Sequence, residues 1–122
     1  MSEKPLAERL QIKGNRRVAL AGTTPSIDQA VGAATPRAEI AQADIILLAA
    51  PDLAHLQATL PPILAAARPG AILWIAYPKL TFPLAANLNR DIIRTLAPTH
   101  GLQTVSQIAI DSDWSALRLK RT

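Results

Sequence analysis

The sequence of 122 residues predicts an α/β fold with three layers, built on a mainly parallel five-stranded sheet that ends in an antiparallel hairpin. Residues 44–50 and 71–77 are apolar runs without alternation, typical of parallel strands covered on both faces. Helical patterns separate these runs, whereas the last segment alternates polar with apolar residues. A chain of this length builds one core, so we expect one domain over residues 1–122.

The first half of the chain predicts a helix, a strand and a second helix. Residues 5–11 form the short amphipathic helix, and residues 17–21 form the first strand. The strand stops at a loop in which Thr24 or Ser26 is suited to cap a helix running to about residue 34, with Pro25 in its first turn. Around residues 38–40 the chain is either another strand or only a connection.

The second half predicts two more helices and the hairpin. A helix over residues 53–67 is expected to be capped by Asp52 and restarted at Pro61 and Pro62. The clearest amphipathic helix covers residues 87–97. Residues 103–110 and 115–120 then pair across a four-residue turn at 111–114, and we expect the last strand to be an exposed edge of the sheet.

Composition excludes several classes of function. The chain has no cysteine, which excludes disulfides, thiol catalysis and thiolate metal sites. No apolar run has the length of a signal peptide or a membrane span, so we expect a cytoplasmic protein without membrane contact. Two histidines with so few partners predict no metal site. The net charge of +4 comes from dispersed basic residues without a linear basic arm, so nucleic-acid binding is not expected.

The order of the elements predicts where a ligand would bind. Strands separated by helices run parallel, and ligands bind beyond the carboxyl ends of such strands. We call this edge of the sheet the rim. Candidate ligand-binding residues on the rim are Gly22, Thr23, Asp52, Tyr77, Lys79, Asn89, Arg90, Asp91, Asp111, Asp113 and Trp114. None of them is predicted to be catalytic.

Several of these residues also have a purely structural interpretation. Lys79 with Asp111 and Asp113 either binds a ligand or forms a salt-bridged clasp that seats the hairpin turn, and the clasp is favoured because exposed ion pairs are common. Arg90 either reaches an anionic ligand or pairs with Asp111 or Asp113. Trp114 either covers a ligand cleft or packs over the end of the sheet, and packing is favoured.

Three segments together resemble the class I methyltransferase fold with its second and third strands largely missing: RVALAG at residues 17–22, RPGAILWI at 68–75, and the closing hairpin. The resemblance implies a glycine-rich first loop that would bind S-adenosylmethionine and an acidic residue after the second strand that would hold the ribose. Here the matching loop has the single glycine Gly22, and the second strand has little room. We therefore predict no cofactor.

Further segments resemble the bacterial family known as domain of unknown function 3052. They are LQIK at residues 10–13, WIAYPK at 74–79, LNRD at 88–91, SQIAID at 106–111 and DWSALR at 113–118. This resemblance covers nearly the full length and implies a fold and a small stand-alone protein. It carries no activity over to this chain.

Two functional hypotheses follow. The first is a non-catalytic binding or interaction domain of degenerate methyltransferase-like architecture. It is favoured because the first loop has a single glycine and the acidic residue that would hold the ribose is missing. The alternative is a small enzyme or sensor that binds an anionic metabolite on the rim through Lys79, Arg90 and Asp111. We also expect a homodimer, since a small domain with an open sheet edge has a surface for pairing.

Overall fold

The structure, a computed structural model, describes residues 5–12, 15–22, 24–32, 35–79 and 88–122. One five-stranded sheet runs through it. Its strands are β1 (Val18–Ala21), β2 (Ile45–Ala49), β3 (Ile72–Pro78), β4 (Leu102–Ala109) and β5 (Trp114–Arg121). The strand order is β1-β2-β3-β5-β4, in which β1, β2 and β3 are parallel and β5 is antiparallel to both of its neighbours. β4 therefore points the same way as the first three strands, as predicted, and the carboxyl ends of β1 to β4 share one edge.

In the described parts of the chain, four α-helices cover the two faces of the sheet. They are α1 (Leu6–Arg9), α2 (Pro25–Val31), α3 (Leu53–Ala66) and α4 (Arg90–Leu96), with short 3-10 helices at Ile40–Gln42 and Ala97–His100. One apolar cluster joins α3 and α4 to the sheet, and a second joins α2 and the end of α1 to the other face. Within the described residues, no helix combines the length and the apolar character that crossing a bilayer requires. The predicted three-layer α/β class is confirmed.

Trp74 in β3 anchors the face covered by α1 and α2. It is 2% exposed, and its indole N–H donates to the carbonyl of Leu10 at 3.0 Å. A buried indole requires such an acceptor. This bond ties the segment that follows α1 to the middle of the sheet.

Side-chain caps fix the starts of the three helices that follow parallel strands. Thr24 Oγ1 accepts from the N–H of Ile27 at 3.3 Å, and Asp52 Oδ1 accepts from the N–H of His55 at 2.8 Å. Asn89 Oδ1 accepts from the N–H of Ile92 at 3.0 Å. Each cap satisfies an amide that has no partner within its own helix. α4 thus begins after Asn89, whereas the sequence places its start at residue 87, which lies outside the described residues.

The expected restart of the third helix at Pro61 and Pro62 is wrong, because α3 is continuous from Leu53 to Ala66. A proline has no N–H to donate to the carbonyl four residues earlier. Both prolines and the residues that carry those carbonyls, Gln57 and Ala58, are exposed. Water can therefore bind the two carbonyl oxygens, and the helix tolerates the prolines.

The expectation that the last strand is the edge is also wrong, because β5 lies between β3 and β4. The burial explains the order: Leu117 and Leu119 of β5 are each 2% exposed, whereas most residues of β4 are exposed. The edge strand on this side of the sheet is β4. Its pairing register shifts between Thr104 and Ser106. Trp114, assigned to the turn from the sequence, is the first residue of β5.

The outer side of β1 carries only a remnant of a further strand. Val18 forms a single parallel bridge with Arg37, in which Val18 N–H donates to Pro36 O at 2.9 Å and Ala38 N–H donates to Val18 O at 3.1 Å. The chain then enters the 3-10 helix Ile40–Gln42 and proceeds directly to β2. The segment that the sequence left open as strand or connection is therefore a connection with one bridge.

Candidate functional site

A cavity of about 320 Å³ opens on the rim where β3 ends and α4 begins. It lies on the sheet face that α3 and α4 cover. Its walls are formed by Tyr77, Pro78, Lys79, Asn89, Arg90, Asp91, Gln107 and Ser115. The chain between Lys79 and Leu88 lies outside the described residues.

Five of the predicted ligand-binding residues line this cavity, and three of its described lining residues are not among those candidates. The predicted ones are Tyr77, Lys79, Asn89, Arg90 and Asp91, and the others are Pro78, Gln107 and Ser115. The alternation of residues 103–110 marks Gln107 only as polar. Its place beside the others follows from the register of β4 on β5 and of β5 on β3, which also sets Ser115 opposite Tyr77.

A chain of hydrogen bonds connects three of these side chains. Arg90 Nη1 donates to Gln107 Oε1 at 3.3 Å, and Gln107 Nε2 donates to the Tyr77 hydroxyl oxygen at 3.1 Å. A guanidinium has only donors, so the amide oxygen faces it and the amide nitrogen faces the phenol. The Tyr77 hydroxyl accepts in this chain and keeps its own proton for another acceptor.

Burial raises the pKa of the Tyr77 phenol above its ordinary value of 10.0. The Arg90 guanidinium and the Ser115 hydroxyl act in the opposite direction, and the Asp91 carboxylate adds to the rise. The phenol is therefore a neutral hydrogen-bond donor at neutral pH. Together with the cations of Lys79 and Arg90, it gives the cavity donors that suit a carboxylate or a phosphate.

Arg90 pairs with its neighbour on α4, so the predicted pair with Asp111 or Asp113 is wrong, and ligand binding by Arg90 stays a prediction. Its Nε lies 3.7 Å from Asp91 Oδ1, with the two side chains 50% and 79% exposed. Neither Asp111 nor Asp113 forms an ion pair with it within the described part of the chain. A pair this exposed contributes little, about 0–1 kcal/mol, so the guanidinium can be recruited by an incoming anion.

The expected salt-bridged clasp between Lys79 and the two turn carboxylates is wrong, because no such ion pair is found among the described residues. The contact is made by the backbone, where Lys79 N–H donates to Asp113 O at 2.7 Å. The Asp111 carboxylate instead accepts from the Ser26 hydroxyl of α2 at 2.7 Å, on the other face of the sheet. Lys79 lines the cavity, and its charge acts on the Asp111 carboxyl without forming an ion pair with it.

Asp111 organises the hairpin turn. Its Oδ1 accepts from the N–H groups of Asp113 and Trp114, both at 2.8 Å. Burial by itself would raise the pKa of this carboxyl. The hydrogen bonds from Ser26 and from the two backbone amides, with the more distant charge of Lys79, outweigh burial and lower it. Asp111 is therefore a structural residue of the turn.

The β1 and β2 side of the rim is occupied by structural contacts. Gly22 has φ +80°, and a Cβ placed on it would lie 2.9 Å from the carbonyl oxygen of Ala49. Asp52 caps α3. Thr23 lies outside the described residues. Gly22 and Asp52 are on the rim as predicted, but the cavity at α4 is not lined by either of them.

Trp114 packs against the apolar cluster beneath α1 and α2. Its register partner is Pro78 at the end of β3. The Trp114 side chain itself lies on the opposite face of the sheet from the cavity. This placement agrees with packing over the end of the sheet. Among the described residues, no group of three or more His, Cys, Asp and Glu side chains is arranged to hold a metal ion.

The chain has the class I methyltransferase-like fold, which is Rossmann-like, in a truncated form. It matches LepI in complex with SAM at 13% identity and a TM-score of 0.56, covering 96% of this chain and 39% of that one. It matches the mitomycin 7-O-methyltransferase MmcR at 10% identity and a TM-score of 0.57, covering 95% and 52%. Magnesium protoporphyrin IX methyltransferase ChlM from Synechocystis PCC 6803, with bound SAM, matches at 11% identity and a TM-score of 0.60, covering 96% and 76%.

These similarities establish the fold and nothing finer. The chain spans about two fifths to one half of the length of LepI and MmcR. No protein-family model and no curated protein matches the sequence. The resemblance to domain of unknown function 3052 therefore stays a prediction.

Proposed function

We propose that the chain is a non-catalytic binding domain that keeps the architecture of a methyltransferase without its S-adenosylmethionine site. The observation that carries the proposal is the contact of Gly22. The space that a side chain would occupy on this glycine is filled by the carbonyl oxygen of Ala49. The single glycine of the loop therefore serves the approach of β1 to β2 and does not make room for a ligand.

The start of α2 supports the same conclusion. Helix starts bind anions through amides that lack partners. At α2, Pro25 has no N–H, the N–H of Ile27 is bound by Thr24 Oγ1, and the N–H of Asp28 donates to Thr24 O at 2.9 Å. Thr24 itself is 3% exposed. Few donors remain here for a nucleotide-like ligand.

The reduced strand outside β1 is the third support. An acidic residue after a second strand would hold a ribose, but that strand is represented by the single Val18–Arg37 bridge. The chain then turns at once into Ile40–Gln42. The part of the fold that would hold the ribose is thus reduced to one bridge.

We expect 1 mM S-adenosylmethionine to leave the melting temperature of this protein unchanged. Binding with a Kd of about 10 μM would add about 2.7 kcal/mol to the free energy of unfolding by mass action. That gain corresponds to a rise of several degrees for a domain of this size. A melting temperature that climbs with ligand concentration would refute the proposal.

A second candidate function rests on the cavity at α4: binding of a small anionic metabolite, as a sensor or a small enzyme. The favouring observation is the convergence of Lys79, Arg90 and the Tyr77 phenol on one opening. The β1 and β2 side of the rim, where a cofactor would bind, is not needed for this function. We call that side the cofactor half of the rim. We also propose that the chain belongs to domain of unknown function 3052 and that residues 1–122 form one domain. Both candidate functions are compatible with this assignment.

If the cavity binds anions, inorganic phosphate or malonate should stabilise the protein. Arg90→Gln should then lower the affinity for the anion about tenfold or more. Losing one charge-assisted hydrogen bond costs about 1.5–3 kcal/mol, which is of that order in affinity. The measurement is a thermal-shift titration at constant ionic strength. Arg94→Gln is the matched control, because Arg94 is exposed on the same helix and does not line the cavity. An equal response of Arg90→Gln and the unmodified protein would eliminate this candidate.

A further inference from the structure

Basic side chains collect at the edge of the sheet opposite the rim, where the parallel strands begin. We call this edge the basic edge. It comprises Arg16, Arg17, Arg37, Arg68, Lys120 and Arg121. In the sequence these residues are dispersed over more than a hundred positions, so the sequence alone predicts no nucleic-acid binding. The fold brings them together.

The register of the sheet sets these residues side by side. Arg37 bridges to Val18, the first residue of β1, and Arg17 immediately precedes it. Asp44 N–H donates to Arg17 O at 2.9 Å, and Arg68 Nε donates to the carbonyl of Ala43 at 3.1 Å, so the beginnings of β1 and β2 are level.

The other end of the basic edge comes from the hairpin. β5 is antiparallel to β3, so its last residues lie beside the first residues of β3. Arg121 Nη2 donates to Leu64 O at 2.7 Å, at the end of α3. Lys120 precedes it and is exposed.

Among the described residues, one carboxylate forms ion pairs with this group of cations. Asp44 forms ion pairs with Arg17 and Arg68, whose side chains remain 44% and 45% exposed. The other hydrogen bonds of the group are to neutral carbonyls, such as that of Arg16 Nη1 to Gln11 O at 2.8 Å. The basic edge therefore carries an excess of positive charge, with six cations beside the carboxylates of Asp44 and the exposed Glu39.

The rim carries charges of both signs, so the positive charge of the molecule is concentrated at the basic edge. Asp52, Asp91, Asp111 and Asp113 lie on the rim with the cations Lys79, Arg90 and Arg9, whose Nη1 donates to Ala109 O at the carboxyl end of β4 at 2.9 Å. A polyanion approaching the molecule is therefore attracted to the basic edge more strongly than to the rim. The basic edge and the rim lie at opposite ends of the strands. Binding at the basic edge therefore does not rest on the functions proposed for the rim.

We propose that the basic edge binds the sugar-phosphate backbone of a nucleic acid without reading its sequence. Most of the cations are arginines, whose planar guanidinium groups bind phosphate through two parallel hydrogen bonds. From Arg37 to β5 the edge spans four strand spacings, about 19 Å, along which a duplex carries about eleven phosphates.

The basic edge is not suited to stacking against bases or to insertion into a lipid surface. Among the described residues no aromatic side chain lies on it for stacking against bases, which favours contact through phosphates alone. Val105, the large apolar side chain that is exposed in the described part of the chain, lies inside the edge strand β4 and not among the cations. Insertion into a lipid surface requires apolar anchors beside the basic residues.

Fluorescence anisotropy with labelled 20-base-pair DNA duplexes of two unrelated sequences tests the proposal. We expect both duplexes to bind equally well. If three to four phosphates are neutralised, affinity should fall by roughly 40- to 150-fold between 50 and 200 mM salt. The double variant Arg37→Gln/Lys120→Gln should weaken binding about tenfold or more, since both side chains are exposed and neither is needed for the core.

Two further variants separate local charge from net charge. Gln57→Glu/Ala58→Glu lowers the net charge by the same amount at an exposed part of α3, roughly 15 Å along the helix from Arg68, and should change affinity less than twofold at 100 mM salt. Arg37→Lys/Lys120→Arg keeps the charges and should retain binding.

Three results would overturn the proposal. They are an absence of DNA binding at 50 mM salt, equal losses in the two charge-lowering variants, and tighter binding to polyglutamate or to anionic lipid vesicles than to the duplexes. The melting temperature of each variant, measured in parallel, confirms that the compared proteins are folded.

Discussion

Replacing Gly22 with alanine is expected to lower the free energy of unfolding by about 2 kcal/mol. A side chain at positive φ costs about 1–2 kcal/mol, and the new Cβ would lie 2.9 Å from the carbonyl oxygen of Ala49. That oxygen belongs to the backbone at the end of β2 and moves only if the strand moves. The reduced entropy of the unfolded chain offsets about 0.4–1 kcal/mol of the loss. Urea unfolding followed by circular dichroism measures the change.

Two other glycines separate the contributions to this loss. Gly101 has φ +70° with nothing within 4 Å of a Cβ, so Gly101→Ala should cost only the conformational part, about 1 kcal/mol. Gly70 is free of both constraints, so Gly70→Ala should be neutral or slightly stabilising. If Gly22→Ala costs no more than Gly101→Ala, the contact with Ala49 is unimportant, and the structural role assigned to Gly22 is wrong.

Asp111→Ala is expected to destabilise the protein by about 2 kcal/mol at neutral pH. The substitution removes the acceptors of the Ser26 hydroxyl and of two backbone amides, and hydrogen bonds to a charged group contribute about 1.5–3 kcal/mol each when buried. The carboxylate is partly exposed, so the sum is lower than three such bonds. Unfolding in urea at pH 7 gives the value.

The loss should depend on pH with a definite sign. The pKa of Asp111 is lower in the folded protein than its value of 3.8 in the unfolded chain. Its stabilisation is therefore complete above that unfolded value and disappears as the pH falls through the folded pKa. The difference between Asp111→Ala and the unmodified protein should be constant between pH 5 and 7 and should shrink as the pH falls below 3.8.

Asp113→Ala is the control, because Asp113 lies in the same turn and its side chain has no hydrogen bond or ion pair within the described residues. It should cost less than about 0.5 kcal/mol, as surface substitutions usually do. Equal losses for the two aspartates would show that the turn is stabilised by its general charge and not by the contacts of Asp111.

The fold was predictable because its signals are local. Unbroken apolar runs mark β2 and β3, alternation marks β4 and β5, and Asp52 caps α3 as expected. The sequence could not show that β5 inserts between β3 and β4, since both orders pair the same hairpin. The difference lies in long-range burial, where Leu117 and Leu119 of β5 enter the core.

The candidate site was predictable only in part. Tyr77 and Lys79 follow a buried strand, so their arrival on the rim follows from strand direction alone. Gln107 and Ser115 enter the cavity through the register of three strands, which no local pattern reveals. The hydrogen bond of Asp111 with Ser26, in place of an ion pair with Lys79, likewise depends on how α2 packs beside the hairpin turn.

The claim that the cofactor half of the rim is closed is tested most directly by titrating ¹⁵N-labelled protein with S-adenosylmethionine and following the amide resonances. We expect those of Gly22, Ser26 and Asp52 to stay in place at millimolar ligand, because backbone and capping contacts occupy this surface. Saturable shifts confined to these amides would contradict the claim and would identify a working cofactor site.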